Sequence, residues 1–157
     1  MLDRVKDQGV SIAIQNGGGL RASIDAGEVT MGEVLTVLPF QNTLSTFEAS
    51  GADVIAALES GVSQVEDGKG RFPQVAGLKF VFDISVAPNE GRISDVEVME
   101  GSSWSAIDPA KTYIVAGWAS VNEGTEGPQI WDVVESHIKK QGTVKLEPNT
   151  SVQVVEA

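Results

Sequence analysis

The sequence predicts an α+β domain, a mixed sheet with packed helices. Three observations carry this. Segments of period two and of period 3.6 share the chain without the strict βαβ order of a parallel-sheet protein. Two neighbouring strand-like segments are joined by a short turn, as in a hairpin. Two helices carry the same start signal, a hydroxyl residue followed three positions later by an acid: Thr30 with Glu33, and Ser50 with Asp53. With 157 residues, 1–157 has the length of a single domain and enough chain to bury a core.

Met1 to Asp7 has the pattern of a helix end, with Leu2 and Val5 three apart and Gly9 as the stop. No cap precedes it. Ser11 to Gln15 predicts a short buried strand. Thr30 opens a helix with Val34, Leu35 and Leu38 on one side, and Pro39 ends it. Thr43 to Ala49 alternates as a half-buried strand. After Ser50, the residues Val54, Ala57, Leu58, Val62 and Val65 form an apolar helical stripe.

Glu66 to Gly70 predicts a polar turn, and 71–77 an irregular loop. Leu78 to Ile84 and Arg92 to Met99 predict paired strands around a turn at Pro88 to Gly91. Glu100 to Ser103 predicts a further turn. Trp104 and the residues from Asp108 are assigned to a surface loop. Tyr113 to Gly117 predicts a strong strand. A helix is expected from Pro128 to Lys140, and a last strand from Ser151 to Val155.

Twenty-two acidic residues face eleven basic ones, a net charge of −11. That argues against nucleic acid as a partner, because phosphate backbones need a basic face. It also argues against an anionic membrane surface. No apolar run approaches the ~20 residues that cross a bilayer. There is no cysteine, so disulfides and thiolate metal sites are excluded. His137 is the one histidine. It falls in a helix near lysines and is read as a surface residue. Trp131 falls on that helix's apolar stripe and is read as core.

The stretch with the most chemical content is 11–21. A strand runs into Asn16, three glycines follow, and Arg21 closes the stretch. Glycines let another group approach the backbone closely. Free backbone amides could face an anion, Asn16 can donate and accept, and Arg21 can grip phosphate or carboxylate with two nitrogens. The competing reading is a flexible strand exit with a surface arginine. Arg71 has the same two readings.

Asn16-Gly-Gly-Gly-Leu-Arg21, Asp25-Ala-Gly-Glu-Val-Thr30, Val37-Leu-Pro-Phe40 and Gly70-Arg-Phe-Pro-Gln-Val-Ala-Gly77 occur in order. In this the chain resembles the C-terminal domain of the 5′-nucleotidase family, which includes UDP-sugar hydrolases and 2′,3′-cyclic phosphodiesterases. The resemblance implies a substrate-binding domain for a nucleotide, with no cofactor of its own. The catalytic centre, a divalent metal pair such as zinc or manganese, is then expected on an upstream N-terminal metallophosphoesterase domain. In the family the first helix begins earlier, so here it is expected to be cut short, and this chain alone is expected not to hydrolyse. The family implies a periplasmic or cell-surface location.

Carried across by position, Asn16, Gly17, Gly18, Gly19 and Arg21 would meet base or phosphate, and Phe40 would form one face of an aromatic clamp on the base. The second clamp position falls on Ser120, which has no ring. Glu126 falls where a carboxylate binds ribose hydroxyls. Trp118, two residues before Ser120, could refill the clamp. Stacking contributes about 1–3 kcal/mol per base, so the missing ring matters. The run Val115-Ala-Gly-Trp-Ala-Ser-Val121 and the Ile130-Trp-Asp-Val-Val134 that follows are similar to thiosulfohydrolases, relatives acting on a carrier-protein cysteine adduct. That makes a thiosulfohydrolase-like enzyme the alternative, and a non-enzymatic binding module the third reading.

Overall fold

The structure is a computed structural model and describes residues 1–40, 42–119, 139 and 152–155. Its described elements are three α-helices, two 3-10 turns (Lys6–Gln8 and Gly17–Gly19) and eight strands. The helices are α1 (Leu2–Val5), α2 (Met31–Val37) and α3 (Gly51–Val62). The strands are β1 (Ile12–Asn16), β2 (Thr43–Ser50), β3 (Pro73–Ala76), β4 (Leu78–Asp83), β5 (Ile93–Glu100), β6 (Ser103–Ala106), β7 (Thr112–Ala119) and β8 (Val152–Val155).

The strands form two four-stranded sheets, in the orders β2-β7-β1-β3 and β6-β5-β4-β8. Both are mixed. In the first, β1 runs parallel to β7 while β2 and β3 flank them antiparallel. In the second, β8 runs parallel to β4 and the other pairs are antiparallel. The α+β expectation therefore holds, with the mixed pairing divided over two sheets.

The first sheet packs against a core on each face. On one, Ile12, Tyr113 and Val115 join Val54, Leu58 and Val62 of α3 and Leu78, Phe80, Phe82, Val96 and Val98 of the second sheet. On the other, Ala13, Ala116 and Leu44 pack with Val5 of α1 and with Val34 and Leu38 at α2. Burial at this level contributes about 25 cal/mol per Å² of apolar surface, the main favourable term for the fold. Ile12 and Ala13, adjacent on β1, point into different cores, as strand alternation requires.

Both helix starts form as the spacing predicts. Thr30 accepts from the Glu33 amide while its own amide donates to the Glu33 carboxylate at 2.7 Å. Ser50 and Asp53 repeat the arrangement at 3.1 Å in both directions. Each box satisfies amides that a helix start leaves open. Gly9 ends the first helical segment in the left-handed region, φ 74°.

Four expectations are corrected. Residues 73–76 are a strand, β3, paired antiparallel with β1 from Asn16↔Pro73 to Ala13↔Ala76. Proline is tolerated there because it is the first residue of an edge strand. Trp104 lies on β6, paired with Met99, not in a loop. Its ring carries the Lys79 ammonium 3.9 Å above its centre. Leu35 is 41% exposed rather than sharing the buried side of α2 with Val34 and Leu38. Ala57, placed on the buried stripe of α3, is exposed as well. The helix expected over 128–140, with Trp131 and His137, lies outside the described residues.

A buried arginine ties the β4–β5 connection to α3. Arg92 is 2% exposed and donates to the Val86 carbonyl at 2.6 Å, to the Val62 carbonyl at 3.0 Å and to the Glu66 carboxylate. Glu59 of α3 accepts the amides of Gly91, Arg92 and Ile93.

Candidate functional site

The end of β1 is pinned to the segment entering β3. Gly17 to Gly19 form one 3-10 turn after Asn16. The Gly17 amide donates to the Phe72 carbonyl and the Gly18 amide to the Gly70 carbonyl, each at 2.7 Å. The two backbones approach so closely that a Cβ on Gly18 would lie 2.8 Å from Gly70 Cα, and a Cβ on Gly70 would lie 2.8 Å from Gly18 Cα. Only glycine fits at either position. Free amides facing an anion are therefore not present at Gly17 and Gly18. Strand-end amides inside a fold need partners, and here the 70–72 segment supplies them.

The side chains around the turn keep donors to spare. Asn16 is exposed and its Nδ2 lies 3.4 Å from the Gly70 carbonyl. Its Oδ1 accepts from Gln15 Nε2 at 2.6 Å. Arg21 is exposed and donates one Nη1 bond to the Gly18 carbonyl at 3.1 Å. A guanidinium has five N–H donors, so most of the fork remains for a ligand. The Arg21 amide donates to the Val37 carbonyl at 2.8 Å. That bond ties the glycine turn to the last residue of α2, and Phe40 follows three residues later at 47% exposure. The structure thus joins the Asn16–Arg21 segment to the Phe40 segment, which the sequence separates by nineteen positions.

Arg71 is exposed and donates to Ser63 Oγ at 3.2 Å. The backbone of Trp118 pairs with Leu44 in β2. Ser120 and Glu126 lie outside the described residues. Among the described residues, no group of three or more His, Cys, Asp or Glu side chains is arranged to hold a metal ion. None of the described helices is long and apolar enough to cross a membrane.

Sequence reasoning missed Phe47. It stands on β2 with 52% of its surface exposed. It walls a cavity of about 280 Å³ between the first sheet and α3, together with Gln15, Asn16, Asp53, Ala57 and Gly117. Gly117 is bare where a Cβ would meet Phe47 Cε1 at 3.3 Å, so the glycine leaves room for the ring. The available signal was an aromatic in the middle of an otherwise polar alternation, Thr43-Leu-Ser-Thr-Phe-Glu. At the mouth, hydrogen bonds from the Ser50 hydroxyl and amide hold the Asp53 carboxyl below the usual carboxylate range.

An α+β arrangement of two mixed sheets with a glycine turn pinned at the end of a central strand defines a particular class of domain. The chain belongs to the 5′-nucleotidase C-terminal domain family, whose model matches residues 4–136. It is 36% identical to the trifunctional nucleotide phosphoesterase protein of Bacillus subtilis, over 99% of this chain and 12% of that one. It superposes on the 5′-nucleotidase precursor of Thermus thermophilus with a TM-score of 0.92 and 34% identity, over 99% of this chain and 33% of that one. A sulfate thiohydrolase of Thermus thermophilus has a TM-score of 0.73 at 23% identity, over 98% of this chain and 30% of that one. That likeness concerns the fold alone. The chain spans a third or less of the length of each of these relatives.

Proposed function

We propose that this chain holds the nucleotide substrate of a metal-dependent phosphoesterase of the 5′-nucleotidase type. The observation that carries the reading is the Arg21 amide bond to Val37, which couples an exposed guanidinium to the segment bearing an exposed Phe40. A nucleotide needs both contacts, a cation for phosphate and a flat apolar face for the base. Family membership supports the same division of roles.

In this reading Arg21 grips phosphate with the part of its fork that Gly18 leaves free. Asn16 meets a polar edge of the substrate. Phe40 stacks on the base, and Gly17, Gly18 and Gly19 fix the turn that aims both polar side chains. Trp118 supplies the second ring in place of Ser120, and Glu126 accepts from the ribose hydroxyls. An upstream domain of the same polypeptide carries the metal pair, zinc or manganese, which supplies an activated water and neutralises charge on the phosphoryl group. Closure of the two domains brings the held ester to that centre. The partners are thus a small nucleotide and that catalytic domain, and the place of action is the periplasm or the cell surface.

The test is a titration of this chain with AMP and with adenosine, followed by tryptophan fluorescence. The parent should bind saturably. Phe40→Ala should weaken binding by about 5- to 150-fold, the ratio that 1–3 kcal/mol of stacking implies. Equal binding by parent and variant would remove Phe40 from the site. Robust metal-dependent phosphatase activity in this chain alone would refute the division between a holding and a hydrolysing domain.

A further inference from the structure

We propose that Gln15 is a positioning residue for the nucleotide site: it holds the Asn16 amide with Nδ2 outward, so the substrate atom that Asn16 meets is a hydrogen-bond acceptor. The inference deepens the nucleotide-holding reading and rests on it. It starts from a buried polar side chain. Gln15 is 8% exposed on β1, an inner strand of its sheet. Its Oε1 is buried and has no hydrogen-bond partner among the described residues. A buried acceptor left open is unfavourable, and an apolar side chain of similar length would avoid it. What an apolar side chain could not supply is the other end of the amide.

Gln15 Nε2 donates to the Asn16 carbonyl at 3.2 Å and to Asn16 Oδ1 at 2.6 Å. On the far side of the Asn16 amide, Nδ2 lies 3.4 Å from the Gly70 carbonyl. Both ends of this series of contacts are backbone carbonyls, which can only accept. They fix the orientations between them. Turning the Asn16 amide over would set Oδ1 against the Gly70 oxygen and Nδ2 against Gln15 Nε2. Turning Gln15 over as well would set its Oε1 against the Asn16 carbonyl oxygen. The observed orientation alone pairs donors with acceptors throughout. Asn16 is exposed, and its Nδ2 carries two hydrogens, of which Gly70 faces one. The other remains for a ligand, while Oδ1 is turned to Gln15. A ring nitrogen, a base carbonyl or a phosphate oxygen fits that donor, and a ligand N–H does not.

Titrations with adenosine and with AMP, followed by tryptophan fluorescence, test this. Asn16→Ala shows where the acceptor lies. A loss with both ligands places it on the nucleoside, and a loss with AMP alone places it on the phosphate. Either result supports the proposal, and a loss with neither overturns it. On the ligand that responds, Asn16→Asp should weaken binding by about 5- to 150-fold, because it keeps the oxygen that Gln15 holds and sets a second acceptor in place of Nδ2. An Asn16→Asp chain that binds as tightly as the parent, or more tightly, reveals a ligand that donates and overturns the proposal. Gln15→Met, similar in length but without the amide, should weaken binding by about 2- to 10-fold in the parent and not at all in Asn16→Ala. A loss of equal size in both backgrounds is what a merely structural role produces, and it overturns the proposal, as does no loss in the parent. Phe40→Ala separates the two readings. Binding that is lost in Phe40→Ala but unaltered in Gln15→Met overturns the positioning role and leaves the nucleotide-holding role standing. No binding of either ligand by the parent overturns both.

Discussion

Replacing Gly18 with alanine should loosen the candidate site and the whole domain together. The added Cβ would lie 2.8 Å from Gly70 Cα and 3.0 Å from the Gly70 carbonyl oxygen. Both are backbone atoms, so no side chain can swing aside. The turn and the 70–72 segment must separate. Two bonds cross that contact, Gly18 to Gly70 and Gly17 to Phe72, each at 2.7 Å. At about 0.5–1.5 kcal/mol per bond, their loss costs about 1–3 kcal/mol. For a domain of this length each kcal/mol lowers Tm by about 2–4 °C. Arg21 bonds the Gly18 carbonyl, so its guanidinium should move with the turn and AMP binding should weaken as well. The assay is urea unfolding beside an AMP titration, with Gly32→Ala as the control. A Cβ on Gly32 meets nothing closer than Thr30 Oγ1 at 3.8 Å, and alanine favours a helix by up to about 1 kcal/mol, so this variant should be as stable as the parent or more so. A Gly18→Ala chain with the parent's urea midpoint and the parent's AMP affinity would refute the close approach.

Ser50→Ala should cost about 0.5–2 kcal/mol in urea unfolding, because the start of α3 loses its cap. The same boxes predict a pH response. Hydrogen bonds from the amide and hydroxyl of Thr30 hold the Glu33 carboxyl below its ordinary 4.5, and those from the hydroxyl and amide of Ser50 hold Asp53 below its ordinary 3.8. A depressed carboxylate contributes stability that is complete above its unfolded pKa and vanishes as pH falls through the folded one. The urea midpoint should therefore fall as pH drops below that range, and more shallowly in Ser50→Ala than in the parent. Arg92→Met should lower the midpoint well beyond Arg71→Ala. It strands the Val62 and Val86 carbonyls behind a guanidinium 2% exposed, whereas Arg71 is exposed with one described bond, to Ser63. Equal effects of the two would show that the Arg92 network adds nothing.

The features legible in the sequence are those decided within a few residues. Thr30 and Glu33, or Ser50 and Asp53, sit one turn apart, so each capping box is complete before any tertiary contact forms. The helical stripe Val54, Leu58, Val62 is local in the same sense, and all three are buried. β3 is different. Pro73-Gln-Val-Ala has no two-residue hydrophobic period, and its strand character comes from β1, some sixty residues earlier in the chain. β6 was within reach. Gly101, at φ 64°, and Ser102 form a two-residue link between Glu100 and Ser103, and Gly-Ser is a recognised hairpin signal. Assigning Trp104 to a loop hid the partner strand.

At the site, the structure leaves the candidate side chains exposed but uses the backbone differently from the sequence expectation. Asn16, Arg21 and Phe40 are all exposed, as ligand contacts must be before a ligand arrives. The glycine run suggested amides open to an anion, because glycine spacing reports that a backbone comes close to something and not to what. Here the neighbour is the chain itself, at Gly70 and Phe72. That difference changes the electrostatics of the site. With the Gly17 and Gly18 amides already bonded, attraction for a phosphate rests on side-chain cations, in a chain whose net charge is −11. Arg21 is the cation joined to the Phe40 segment, through its amide bond to Val37. Phosphate affinity should accordingly fall with rising salt more steeply than adenosine affinity does, since the adenosine contacts carry no net charge to screen.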